Sequence, residues 1–311
     1  MITAFAGIAG LVLLYYGAEF LVKGGSSIAL KLKISPLVIG LTLVAYATSA
    51  PELVVSIDSA LIGKGDISIG NVVGSNICNI ALILGLCAVI TPLQVNKKLL
   101  KLDIWLMIAA SAALLGCFAL NGGVNRWQAA LLLTGCLSYT VWSIYASRRE
   151  NAPEIAEEIP KKPCSLPLAI VLTVGGIAAL IIGAKLFVYA AVDLARICGI
   201  SDAVIGLTVV AVGTSLPELA TSVVAAIRKE QDIAIGNVIG SNIFNILAIL
   251  GIAPLISPIK TANISYVDMF LMLFLSIMLY PVMKSGMRIC RKEGIVLLAI
   301  YTAYTAYLII H

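Results

Sequence analysis

The sequence predicts an all-α polytopic membrane protein, with ten transmembrane helices in two inverted-topology five-helix repeats. Three observations carry that expectation. The 311 residues are 60% hydrophobic and 12% charged, with mean hydropathy +1.05, whereas a soluble domain carries about 25% charged residues. Apolar segments of spanning length, about 20 residues, recur along the chain. The second half repeats the first at an offset of 166 positions.

In chain order, the apolar segments predict helices at 3–30, 35–62, 68–91, 103–120, 125–147, 166–195, 202–227, 234–256, 265–283 and 293–310. The first and sixth are long and expected to tilt. The N-terminal segment lacks a basic n-region, so it is expected to be the first span and not a cleaved signal. A charged, proline-containing linker, "SRRENAPEIAEEIPKKPCS" at 147–165, separates a first repeat, 1–146, from a second, 166–311.

The duplication is densest between Gly40–Gly85 and Gly206–Gly251, where 27 of 46 positions are identical without a gap. Five spans per repeat is an odd number, so the second copy must enter the bilayer inverted. Lys and Arg placement agrees: 15 of the 21 basic residues fall on one side, 4 on the other (Lys64, Arg126, Arg196 and Lys260), and Lys23 and Lys185 lie within spans. The richer side is expected to be cytoplasmic, with both termini extracellular and the linker cytoplasmic. The expected location is the plasma membrane. Inverted repeats with a polar centre are the architecture of secondary transporters.

Other features narrow the function classes. The net charge of +5 comes from basic residues scattered at helix ends, so no nucleic-acid partner is expected. Seven cysteines form no CxxC pair and read as small buried hydrophobes. The single histidine is His311, which argues against a His-based zinc site or a His general base. An intramembrane enzyme lacks its residues here: no catalytic activity, no cofactor and no obligate protein partner are expected. A passive cation channel is a further class, distinguished by flux without a counter-ion.

The chemistry gathers in two repeated motifs. "ATSAPEL" (Ala47–Leu53) and "GTSLPEL" (Gly213–Leu219) each set a Thr, a Ser and a Glu three or four positions apart, on one helix face. Pro51 and Pro217 lack an N–H, so carbonyls one turn earlier lose a helical partner. In lipid such a carbonyl needs another partner, and a cation is one. "GNVVGSNICN" (Gly70–Asn79) and "GNVIGSNIFN" (Gly236–Asn245) open with GxxxG, which permits close helix approach. They then present Ser75 with Asn79, and Ser241 with Asn245, each pair four apart. Together these residues form an all-oxygen set suited to hard cations such as Ca²⁺. A glutamate at mid-span is functional by default. Two glutamates carry a formal −2 charge, which one Ca²⁺ or two to three Na⁺ neutralise. Competition for the same two carboxylates implies exchange.

Asn71, Asn76, Asn237 and Asn242 either face the site or bond backbone. Glu19 stands four residues before Lys23 and aligns with Lys185, which reads as an ion pair near the interface or as a lock between the two long helices. Asp58, Asp66 and Asp232 read as solvated helix ends.

The paired TSxPE and GSNIxN motifs resemble the two α-repeats of the calcium/cation antiporter superfamily, in particular the compact prokaryotic sodium/calcium exchangers. The resemblance covers essentially the whole chain. It implies ten helices in two inverted halves, a core of spans 2, 3, 7 and 8, and spans 1 and 6 sliding against it. It implies Ca²⁺ and Na⁺ as transported ions and the bilayer as the protein's surroundings. By resemblance, Glu52 and Glu218 are shared ligands of both cations, and Thr48 and Thr214 contribute carbonyls to the calcium site. Ser49, Ser215, Ser75 and Ser241 serve flanking sodium sites with the carbonyls of Ala45 and Ala211, and Asn79 and Asn245 sit centrally. The rival driver is the proton: a Ca²⁺/H⁺ antiporter using the same glutamates. Two residues depart from the family's usual pattern. Ala47 stands where a glycine is usual, and Asn245 stands where some relatives carry aspartate.

Overall fold

The computed structural model describes residues 2–150, 163–198, 211–260 and 264–310. Four features of the sequence reading extend outside these residues: the span expected at 202–227 before residue 211, linker positions 151–162, the Lys161–Lys162 pair and His311.

The regular secondary structure of the described chain is helical apart from four two-residue strands. Helix α1, Ile2–Leu32, is the first long helix. Ser35 caps α2, accepting from the Val38 N–H at 3.3 Å, with Pro36 at the first helical position. The span expected at 35–62 is one broken element: α2, Pro36–Thr48, and α3, Ala50–Leu61, meet at 47°. Ser49 is the hinge, at φ −83° and ψ 8°, and Pro51 sits in the first turn of α3, where a missing N–H costs nothing.

Helix α4 runs Gly65–Ile90, and a short α5, Lys97–Lys101, precedes α6, Asp103–Asn121. Helix α7, Arg126–Glu150, extends past the expected linker start at 147, so the first four linker residues are helical. The second half repeats the series with α8, Leu166–Ile197, and two short helices, α9, Ala211–Thr214, and α10, Leu216–Ile227. It continues with α11, Gln231–Ile256, α12, Tyr266–Lys284, and α13, Arg291–Ile310. Ser215 is the second hinge, at φ −88° and ψ 7°.

Among the described residues, eight helices are long and apolar enough to cross a membrane, and the bent α2–α3 pair makes a ninth candidate. Helix α10 is apolar but shorter. The chain is therefore a multi-pass, all-helical membrane protein.

Helices α4 and α11 are the most buried and form the centre. Both carry wide π-type turns, at Cys78–Leu84, immediately after one GSNI segment, and at Asn245–Ile249, one residue after the other. Such turns shift the hydrogen-bond ladder by one residue and are common at functional sites. Gly236 and Gly240 let α11 approach α2: a Cβ at Gly240 would stand 2.4 Å from the Leu41 carbonyl oxygen. The positions equivalent to Leu37 and Leu41 in the second half, 203 and 207, lie outside the described residues.

Helices α1 and α8 run antiparallel in backbone contact. Gly10 meets Gly183 and Gly17 meets Gly176, with no room for a Cβ at any of the four positions. The other end of α1 places Gly24 against Ala169 and Thr173. Small residues are what allow two helices to approach this closely in lipid.

Two antiparallel ribbons tie the halves together. β1 (Leu93–Gln94) pairs with β4 (Arg288–Ile289), and β2 (Gly123–Val124) with β3 (Ile259–Lys260). Near the centre the Ser111 and Ser276 hydroxyls, on α6 and α12, are 3.1 Å apart.

Candidate cation site

The two hinges place Glu52 and Glu218 in the first turns of α3 and α10, both fully buried at 0% exposure. A carboxylate there faces the positive end of the helix dipole. The hydroxyls beside them cross between the halves. Ser49 donates to Glu218 Oε1 at 2.7 Å, and Ser215 donates to Glu52 Oε1 at 3.1 Å. Ser215 also bonds Ser75 Oγ at 3.3 Å. Thr214 lies beside Glu52, and Thr48 beside Glu218.

Each glutamate is fastened from behind. Asn71 Nδ2 donates to the Glu52 carbonyl at 3.1 Å and to Ser56 Oγ at 3.0 Å. Asn237 Nδ2 donates to the Glu218 carbonyl at 3.3 Å and to Ser222 Oγ at 2.9 Å. Asn237 also accepts from the Thr48 hydroxyl at 3.1 Å. Asn71 takes the backbone-bonding alternative, whereas Asn237 bonds backbone through its nitrogen and the candidate site residue Thr48 through its oxygen. Asn76 bonds the Asn242 carbonyl at 3.3 Å, and Asn242 bonds the Val238 carbonyl at 2.8 Å.

What the protein does not satisfy is informative. Glu52 Oε2, Glu218 Oε2, both polar atoms of Asn79, Asn245 Oδ1 and Ser241 Oγ are buried without a protein hydrogen-bond partner. Buried polar atoms are rarely left so, and buried carboxylates without a counter-charge are costly. Among the described residues, no Lys, Arg or His pairs with either glutamate. Nor do three or more His, Cys, Asp or Glu residues cluster there. A cation held by the two glutamates must complete its shell with neutral oxygens. That donor set suits a hard cation.

The expected residues are not all equivalent. Glu52, Glu218, Ser49, Ser215 and Ser75 are joined by hydrogen bonds. Asn245 donates to Asn76 Oδ1 at 3.0 Å, while its own oxygen stays open. The Ala45 carbonyl already accepts from the Ser49 N–H at 3.0 Å and the Thr48 hydroxyl at 3.2 Å. Ala211 opens α9. Gly213, where the first motif has Ala47, backs onto Val188 of α8, and a Cβ there would lie 2.4 Å from Val188 Cγ2.

Some polar residues escaped the sequence reading. Ser56 and Ser222 recur at the 166 offset, a signal that was present. Asp103 accepts from the Tyr139 hydroxyl at 2.7 Å, and Asp268 from the Tyr304 hydroxyl at 2.9 Å. Glu19 is corrected: its partner is Arg228, which grips it with two nitrogens, and neither the Lys23 pair nor the link between the long helices is observed.

The pattern of the family described as "Sodium/calcium exchanger protein" matches residues 2–145 and 168–310. The chain belongs to this sodium/calcium exchanger family. It is 41% identical to the putative antiporter CaxA of Alkalimonas amylolytica, over 96% of this chain and 95% of that one. It is 36% identical to the sodium/calcium exchanger MaX1 of Methanosarcina acetivorans, over 96% of each. Solved structures of the sodium-calcium exchanger NCX_Mj superpose with a TM-score of 0.85 at 35% identity, covering 99% of both chains. An exchanger of this family is a transporter of cations, and the expected resemblance to the prokaryotic calcium/cation antiporters holds.

Proposed function

We propose that the chain exchanges Na⁺ for Ca²⁺ by alternating access at a site built on Glu52 and Glu218. The single observation that carries this reading is the crossed arrangement of Ser49 with Glu218 and Ser215 with Glu52, each carboxylate keeping a second, unpartnered oxygen. Two negative charges buried without a cationic side chain suit one Ca²⁺ or a small number of Na⁺, not both together. An empty site carries uncompensated charge, so the loaded forms cross more readily, which couples the two fluxes.

In this reading Glu52 and Glu218 are shared ligands, with Thr48 and Thr214 at the calcium position. Ser49, Ser75, Ser215 and Ser241 serve sodium beside them, with the carbonyls of Ala45 and Ala211. Asn79 and Asn245 are central neutral donors, and their open amide oxygens support that role. The fold is read as ten spans, the seventh comprising α9 and α10 with the residues before them. Two inverted repeats, 1–146 and 166–311, meet through the 147–165 linker. The basic-residue asymmetry supports extracellular termini; the protein is read as resident in the plasma membrane, with no obligate protein partner.

Uptake of ⁴⁵Ca²⁺ into vesicles holding the purified protein tests the proposal, comparing an outward Na⁺ gradient with an outward H⁺ gradient at matched membrane potential. Uptake driven by sodium alone is expected. Uptake driven by protons alone would replace the sodium reading with a Ca²⁺/H⁺ antiporter on the same glutamates.

A further inference from the structure

The two halves are not covered alike. α1 packs along α10, but α8 makes no comparable contact with α3, the helix equivalent to α10. Burial follows. Pro217, Thr221 and Val224 are buried, whereas the equivalent Pro51 and Val55 are half-buried and Asp58 is exposed. Val54 is 56% exposed, against a half-buried Ala220. Among the described residues, one face of the core is closed by a long helix and the other is not.

Specific polar contacts lie at the closed end. Arg228, the C-cap of α10, forks onto Glu19 of α1: Nε donates to Oε1 at 2.6 Å, and Nη2 donates to Oε2. About two turns further along α1, Ser26 donates to Glu230 in the turn before α11. Burial pushes the Glu230 carboxyl above its ordinary range, and the Ser26 hydroxyl and the Arg228 charge oppose that shift. The equivalent positions in the other half cannot form either contact. Subtracting or adding 166 turns Glu19 and Arg228 into Lys185 and Ile62, and Ser26 and Glu230 into Val192 and Lys64.

We infer that Glu19–Arg228 and Ser26–Glu230 form a latch with no counterpart at the equivalent positions of the other face, which holds α1 over α10 and favours the conformer closed on the Arg228 face. Glu218 and Arg228 lie ten residues apart on one helix, about 15 Å, so α1 docked there covers the approach from that face. In a transporter of inverted repeats, equal contacts on both faces would balance the two conformers. A contact present on one face biases them, and the bias lowers apparent cation affinity at the latched face. The inference rests on the alternating-access reading above.

The test uses full-length protein in lipid nanodiscs and measures hydrogen–deuterium exchange over 216–230 and 50–62. Glu19→Gln and Arg228→Gln are expected to speed exchange in 216–230 and slow it in 50–62, as α1 leaves α10 and α8 covers α3. The charge swap, E19R with R228E, is expected to restore the wild-type pattern, and it serves as the second variant if a single one fails to fold. Apparent Ca²⁺ affinity should rise roughly threefold at the Arg228 face in the single variants, the size expected for a partly exposed ion pair. Unchanged exchange, or faster exchange in both segments alike, would overturn the latch. Exchange reads the latch even where no sodium-driven calcium flux is found. Sodium-driven flux with unchanged exchange would discard the latch and leave the site proposal standing.

Discussion

The Ser49 hydroxyl hydrogen-bonds Glu218 Oε1 at 2.7 Å, across 169 residues of sequence. Its counterpart, Ser215, reaches Glu52. Neither glutamate is held by the serine of its own motif, so the candidate site is assembled only where the two halves meet.

That interdependence makes the glutamates non-redundant. Glu52→Gln and Glu218→Gln keep side-chain shape and each remove half the buried negative charge. Either is expected to lower ⁴⁵Ca²⁺ transport by about a hundredfold or more, since ligand charge dominates Ca²⁺ affinity. Size-exclusion profiles should stay those of the wild type. Robust transport by either variant would rule out the two-glutamate site.

The serines are expected to separate the two cations. Ser215→Ala removes contacts to both Glu52 and Ser75, whereas Ser49→Ala removes only the contact to Glu218. A hydrogen bond to a charged group contributes about 1.5–3 kcal/mol. Half-saturation for Na⁺ should therefore rise about tenfold or more, further in S215A than in S49A, with Ca²⁺ half-saturation moving less. Equal shifts for both ions would show that the hydroxyls only position the carboxylates.

Asn79 and Asn245 differ in a way that separates stability from transport. The Asn79 amide has no protein partner, but Asn245 bonds Asn76 at 3.0 Å. Asn79→Leu exchanges an unsatisfied buried amide for an apolar group of similar size, so the melting temperature is expected to hold or rise while transport falls. Asn245→Leu is expected to lose about 1 kcal/mol of stability with its hydrogen bond. Thermal unfolding and flux, measured on the same preparations, check both. A stability loss in N79L would mean that its amide is engaged in holding the fold.

Much of this was legible because duplication acts as a second reading of each position. Glu52 with Glu218, the proline breaks, and the serine and asparagine series all follow from one offset. Among the described residues, helix boundaries followed from hydropathy to within a few residues, except that the hinges at Ser49 and Ser215 divide their apolar runs into separate helices. The crossed partners were not legible, since no periodicity within one half reports which half supplies the neighbour. Glu19 illustrates this: a local rule favoured Lys23 four residues away, and the observed partner is 209 residues distant. The offset also changes. Leu93 and Ile259 keep 166, but Asp103 and Asp268, Ser111 and Ser276, and Tyr139 and Tyr304 are 165 apart. One residue fewer separates these elements in the second half, and the symmetric Asp–Tyr bonds escaped for that reason.

The α1–α8 contact gives the sharpest test of packing, because two adjacent glycines face different surroundings. A Cβ on Gly176 would lie 2.7 Å from the Gly17 carbonyl oxygen and from the Leu21 nitrogen, whereas a Cβ on Gly175 would meet nothing within 4 Å. Gly176→Ala must push two backbones apart, at a cost of about 1–3 kcal/mol for overpacking. Gly175→Ala should be neutral, or stabilising by up to about 1 kcal/mol through helix propensity. If α1 and α8 move as one body, G176A also slows sodium-driven calcium uptake, and G175A does not. Thermal unfolding in detergent with uptake in vesicles reads both effects. Equal behaviour of the two variants would mean that the close glycine contact does not hold the helix pair together.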